Sequence, residues 1–104
     1  MKQANELTKY VLTYLKLNGY KAWRQNNLAT RGRQNNVTLG VPDVLAINKT
    51  NGQFFGAEIK IDKDRLSKDQ IEFHAECNEH RPLVFVIKEE KDIELAVKIH
   101  KSNK

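Results

Sequence analysis

Asp43, Glu58 and Lys60 are the residues whose types and spacing can carry out a hydrolysis. Asp43 follows Pro42 at the head of one apolar stretch, and Glu58 and Lys60 stand two apart near the end of the next. In a strand, alternation sets Glu58 and Lys60 on one face and turns Ala57 and Ile59 to the other, toward a core. The Asn51-Gly52 pair between the stretches is the strongest short hairpin signal, so the strands fold back antiparallel and Asp43 comes near Glu58. Two converging carboxylates repel each other unless a cation lies between them, and hard oxygen ligands suit Mg²⁺, with Mn²⁺ able to substitute. The backbone carbonyl of Ile59 can add a ligand. Such an ion lowers the pKa of a bound water and polarises a phosphoryl oxygen. Lys60 beside it can orient the attacking water or offset the charge of the transition state. The chemistry is that of phosphodiester hydrolysis.

A Glu-x-Lys pair alone is equally a solvated strand face with a cross-strand ion pair, which is common and contributes little. The Pro-Asp on the preceding strand and the Ser67-Lys68-Asp69-Gln70 segment that follows make the longer pattern specific.

The elements that must position these residues are legible in the spacing. Ala4, Leu7, Val11, Tyr14 and Leu15 recur at helical intervals and predict a helix over 4–17 that ends near Asn18-Gly19. Tyr20 to Arg24 alternates in the period of a half-buried strand. Residues 25–40, rich in Asn, Gln, Gly and Arg, form a long connection of the kind that is usually functional. Val41–Ile47 reads as an interior strand opened by proline, Gln53–Ile61 as the returning strand, and Ser67-Lys68-Asp69-Gln70 as a capping box opening a helix to about Glu79. Leu83–Ile87 is a buried strand, and Glu90–His100 a last helix through Ile93, Ala96 and Val97. The order is α-β-β-β-α-β-α, a small α/β sandwich.

With 104 residues, the chain has the size of one domain, 1–104. A hydrophobic fraction of 39% and a charged fraction of 30% place it among folded proteins. No apolar run approaches the roughly 20 residues of a membrane span, and the first residues lack a signal core, so a cytoplasmic location without membrane attachment is the expectation. The single cysteine, Cys77, has no internal disulfide partner and fits a reducing compartment. A formal charge of +5 agrees with a nucleic-acid partner, as it does with an inert basic surface.

Gly40-Val41-Pro42-Asp43, then Gly56-Ala57-Glu58-Ile59-Lys60, then Leu66-Ser67 and Gln70 resemble, in order and spacing, the VRR-NUC branch of the PD-(D/E)xK nuclease superfamily. The likeness runs over most of the chain, since stand-alone phage and bacterial members of this branch also begin with a helix bearing a glutamate, here Glu6. The resemblance implies a restriction-endonuclease-like core, a mixed β-sheet flanked by helices. It implies that Asp43 and Glu58 ligate Mg²⁺, that Lys60 is the catalytic lysine, that Gln70 supports the site, and that Glu6 is an indirect, water-mediated ligand. Stand-alone members are similar to Holliday-junction resolvases, so it further implies branched DNA such as a four-way junction as substrate. A two-fold homodimer would place the two cuts of a symmetric junction. The expected setting is a bacterial cytoplasm, or a host's for a phage protein. Family members often close the helix after the glutamine with glycine, where this chain has Asn78-Glu79-His80-Arg81. The alternative in another class is a non-catalytic DNA-binding protein on the same fold, or an accessory nuclease subunit of a replication or packaging complex.

Several residues carry two readings. Gln70 can serve the site or only the capping box, whose third residue reaches back to Ser67. Glu6 can be a ligand or an acid favoured in a helix's first turn. Arg24, Arg31 and Arg33 flank the loop leading to Asp43 and can grip phosphates there, as can Lys63 beyond Lys60, or they can be solvated. His74, Cys77 and His80 are spaced by three, which turns successive side chains away from one helix face and leaves zinc without a fourth ligand.

Overall fold

Leu7, Val11 and Leu15 form one stripe of a helix, and in the computed structural model, which describes residues 3–25 and 38–103, all three are fully buried. They belong to α1 (Ala4–Leu17), which is followed by β1 (Tyr20–Arg24), β2 (Val44–Asn48), β3 (Phe54–Ile59), α2 (Lys68–Cys77), β4 (Val84–Ile87) and α3 (Glu90–Ser102). The sheet runs β1-β2-β3-β4, antiparallel at β1–β2 and β2–β3 and parallel at β3–β4. The parallel step needs a crossover, and α2 supplies it. The expected α/β order and the mixed sheet are both present.

Element ends differ from the sequence reading in a consistent way. β2 begins at Val44 rather than Val41 and β3 ends at Ile59 rather than Ile61, because pairing stops where Pro42 offers no N–H; at the turn, β3 begins at Phe54 rather than Gln53. α2 ends at Cys77 rather than Glu79: Asn78 turns the chain, accepting at Oδ1 from the amides of Leu83 and Val84 at 2.8 Å each and donating from Nδ2 to the Val84 carbonyl. The Asn78 side chain thus ties the helix end to the next strand.

The core lies between one sheet face and the helices α1 and α3. Tyr20, Ala22, Val44, Ala46, Phe55, Ala57, Ile59 and Ile87 point to it from the sheet, and Leu7, Val11, Leu15, Ile93, Ala96 and Val97 meet them. Truncating a side chain such as the fully buried Phe55 to alanine costs about 3–5 kcal/mol. His100 sits inside this core, fully buried. Its Nδ1 is 2.6 Å from the Tyr20 hydroxyl and its Nε2 is 2.7 Å from the Phe54 carbonyl, so α3 is fastened to β1 and β3. The carbonyl can only accept, which makes Nε2 the donor and Nδ1 the acceptor for the tyrosine. α2 packs beside β4, and the sheet face opposite the core carries Glu58. No helix among the described residues is long and apolar enough to cross a membrane.

Candidate active site

The β2–β3 register sets Val44 against Ala57. Carried one step further, it sets Asp43 against Glu58 in a non-hydrogen-bonded position, where cross-strand side chains approach most closely. The next step sets Pro42 against Ile59, a position where a backbone residue would normally exchange two hydrogen bonds. Proline has no N–H to give, and the Ile59 amide turns instead to Oδ2 of Asp43 at 2.8 Å. The Ile59 carbonyl points to the same edge of the strand, beyond the last β2–β3 pair. The Pro-Asp pair therefore ends the ladder and leaves a carboxylate and a carbonyl oxygen at its end. On the other side the Asp43 carbonyl accepts the Gln25 amide at 2.7 Å, which fixes the aspartate's backbone to the end of β1.

The loop carrying Asp43 is held by two close approaches. Gly40 has φ +80°, and a Cβ there would collide with the backbone carbonyl of Asp69 in the first turn of α2. Glycine at 40 is thus required both by conformation and by space. Pro42 is fully buried, and its ring lies over Gly56, where a Cβ would stand 3.0 Å from Pro42 Cγ and 3.2 Å from Val84 Cγ2. The Asp43 loop, β3 and α2 therefore pack as one unit.

Glu58 is 2% exposed, so it is not the solvated strand residue of the bland reading. Its Oε2 accepts from Nε2 of Gln70 at 3.1 Å, while Oε1 is buried without a hydrogen-bond partner among the described residues. Burial first, and the closeness of the Asp43 carboxylate after it, push its carboxyl up to about 8, against a smaller opposing effect of Lys60. Gln70 fills both of its roles: Oε1 accepts the Ser67 amide at 2.8 Å in the capping box, and Nε2 holds Glu58. Lys60 follows Ile59, its amide bound to the Ile87 carbonyl at 3.0 Å and its side chain half-buried.

His74 enters the site as a residue that the zinc question had obscured. It lies one helical turn after Gln70, is 8% exposed, and its Nε2 has no hydrogen-bond partner among the described residues. Burial and the charge of Lys60 hold its pKa below the usual value, so a neutral imidazole stands near the ammonium. Its spacing of four from Gln70 was the available signal.

The remaining expected residues are placed differently. Glu6 is exposed and its Oε1 accepts the Gln3 amide at 3.2 Å, so its first-turn capping role is realised. Among the described residues no three of His, Cys, Asp and Glu converge as a metal cluster, so Glu6 does not join Asp43 and Glu58 directly. Arg24 shares the sheet face of Tyr20 and Ala22, opposite to that of Glu58, and its Nη1 donates to Oδ1 of Asn5 at 2.9 Å. It ties β1 to α1 at the site's end of the sheet rather than projecting over the carboxylates. Lys63 is exposed in the loop after β3. Arg31 and Arg33 lie outside the described residues.

The chemistry of the available donors fits a hard divalent cation: Asp43, a Glu58 with an unsatisfied buried oxygen, and the Ile59 carbonyl all offer oxygen atoms. A family model described as "VRR-NUC domain" matches residues 8–90, a span that contains Asp43, Glu58, Ile59, Lys60 and Gln70 but not Glu6. A solved structure titled "VRR_NUC domain" superposes with a TM-score of 0.68 at 20% identity, over 94% of this chain and 97% of that one. At that identity the likeness is one of fold. No curated protein matches.

Proposed function

The chain belongs to the VRR-NUC family, a nuclease-type domain of the PD-(D/E)xK branch, and on that premise we propose that it is a Mg²⁺-dependent endodeoxyribonuclease acting on branched DNA. The observation that carries the reading is the Asp43–Glu58 pair, two adjacent carboxylates of which one has a buried oxygen with no partner and a pKa raised to about 8. Such a pair is costly as a structural device and is relieved by a divalent cation.

Asp43, Glu58 and the Ile59 carbonyl would hold the ion, which would supply Lewis acidity toward a phosphodiester oxygen and toward water. The chain's own residues do the rest. The Ile59 amide and the Gln25 amide fix Asp43, and Gln70 fixes the rotamer of Glu58, so the ligands are set before substrate arrives. Lys60, on the face of Glu58, donates to the attacking water or to a nonbridging phosphate oxygen and offsets the charge that grows there. The preference for a four-way junction and the two-fold homodimer rest on the family resemblance, and the net charge of +5 supports a polyanionic substrate.

The test is cleavage of labelled single strand, duplex, flap and four-way junction with Mg²⁺, Mn²⁺ or EDTA, beside Asp43→Asn and Lys60→Ala, with binding recorded on the same substrates. Metal-dependent cutting abolished by both substitutions while binding persists is the expected result. Binding with no cutting under either metal overturns it in favour of a binding module or an accessory subunit.

A further inference from the structure

The protein's single tryptophan is not in the core. Trp23 is 40% exposed, on the sheet face opposite to α1 and α3. The ladders set Trp23 against Leu45 and Leu45 against Gly56, in the cross-strand row next to the one that holds Gln25, Asp43 and Glu58. Trp23 is therefore a diagonal cross-strand neighbour of Asp43 on the same face, and such neighbours lie roughly 7–8 Å apart, within reach of an aromatic side chain. Around it the floor is apolar: Leu45 and Ile47 are half-buried, and the buried Pro42 ring fills the place above Gly56. One row further out, Lys21 is exposed on this same face, set against Ile47, which pairs in turn with the half-buried Phe54.

An exposed tryptophan over an aliphatic floor, a lysine on one side and a divalent-ion site on the other, has the chemistry of a platform for a nucleobase. The indole offers a flat face of the kind on which any base stacks, and the lysine meets the backbone of the same strand. We infer that Trp23 is a stacking subsite for an unpaired base next to the scissile phosphate, with Lys21 contacting the phosphate beyond it. The inference rests on the nucleic-acid reading of the carboxylate site and deepens it: a base already stacked inside a duplex cannot also stack on the indole, so the site selects DNA whose strands separate at the point of cutting. Branch recognition then begins with one side chain of β1.

Because no other tryptophan contributes, the indole reports on itself. The wild-type protein in EDTA is titrated with single-stranded DNA, with a flap substrate, with blunt duplex, and with the single strand carrying abasic positions. Quenching of Trp23 by the single strand and the flap, little quenching by the duplex, and about ten-fold weaker binding with loss of quenching on the abasic strand are expected. Trp23→Phe keeps most of the affinity, whereas Trp23→Ala loses about ten-fold on unpaired strands and much less on duplex. Equal quenching by abasic and normal strands, or Trp23→Ala binding unpaired strands as wild type does, overturns the proposal. So does sedimentation showing that Trp23→Ala converts a dimer to a monomer while base-dependent quenching is absent, since the face is then a subunit interface. Cleavage is scored separately with Mg²⁺: base-dependent quenching without cutting sinks the nuclease reading and leaves the platform standing, and cutting without it does the reverse.

Discussion

Gln70 donates from Nε2 to Oε2 of Glu58 at 3.1 Å while its Oε1 accepts the Ser67 amide at 2.8 Å, so one carboxamide both closes the first turn of α2 and holds the buried carboxylate. A helix cap and an active-site contact are here the same side chain, and the orientation of α2 is coupled to the rotamer of Glu58.

Two substitutions separate these roles. Gln70→Ala removes both contacts and is expected to cost about 2 kcal/mol in urea unfolding. Gln70→Glu keeps the acceptor for Ser67 but loses the donor to Glu58, and should retain the helix while lowering cleavage by roughly 10–100-fold. Wild-type cleavage by Gln70→Glu would show that Glu58 needs no support from α2.

The stability of the metal-free protein should depend on Glu58 in a direction opposite to that of an ordinary paired carboxylate. Burial and Asp43 raise this group from its usual 4.5 to about 8 in the fold, so the folded state binds the proton more tightly than the unfolded one. The contribution is fully present below pH 4.5 and is lost as pH rises through about 8. Thermal melts in EDTA should show Tm falling over that window, Glu58→Gln should flatten the fall, and Mg²⁺ should restore the Tm of the wild type but not of the variant.

Gly40→Ala adds a methyl group against the Asp69 carbonyl at a positive φ, and is expected to cost about 2–3 kcal/mol and to shift α2. Denaturant unfolding gives the cost. Cleavage by the residual folded fraction should fall as well, because α2 carries Gln70. A variant as stable as wild type would mean that the loop and α2 are not in contact in solution.

His100 titrates with the other sign. Burial holds its pKa below the usual 6.5, so the neutral ring is favoured in the fold, and its stabilisation is present above pH 6.5 and lost as pH falls below it. His100→Leu leaves the Tyr20 hydroxyl and the Phe54 carbonyl buried without their partner, at a cost of about 2–4 kcal/mol. Acid titration of the two proteins by circular dichroism should show a shallower loss in the variant.

Much of this arrangement is legible in the sequence, for reasons that can be named. The α1 stripe, the hairpin at Asn51-Gly52 and the capping box at Ser67 are local patterns, each fixed by residues within a few positions, and each forms as the spacing predicts. The side on which Arg24 falls was not legible, because alternation along β1 gives two faces without saying which one meets α1; Tyr20 and Ala22 settle it by being buried. The surroundings of His74 and Trp23 are not legible locally, because they come from neighbours distant in sequence: Lys60 for the one, the β2 row containing Leu45 for the other. The burial of Glu58 is likewise not legible locally, since Gln70, which holds its Oε2, comes from a separate segment.

β3 has a near partner on one side and a remote one on the other. Its pairing with β2 closes a loop of a few residues, whereas its pairing with β4 waits for all of α2 to be laid across. Short loops close first, so the nascent hairpin is expected to bring Asp43 and Glu58 side by side before Gln70 can arrive. On that order of events the electrostatic conflict between the two carboxylates is expected to be a kinetic obstacle early in folding. Refolding should accordingly be quicker in mild acid, where a proton bridges the two carboxylates, or with Mg²⁺ present, than in alkaline EDTA.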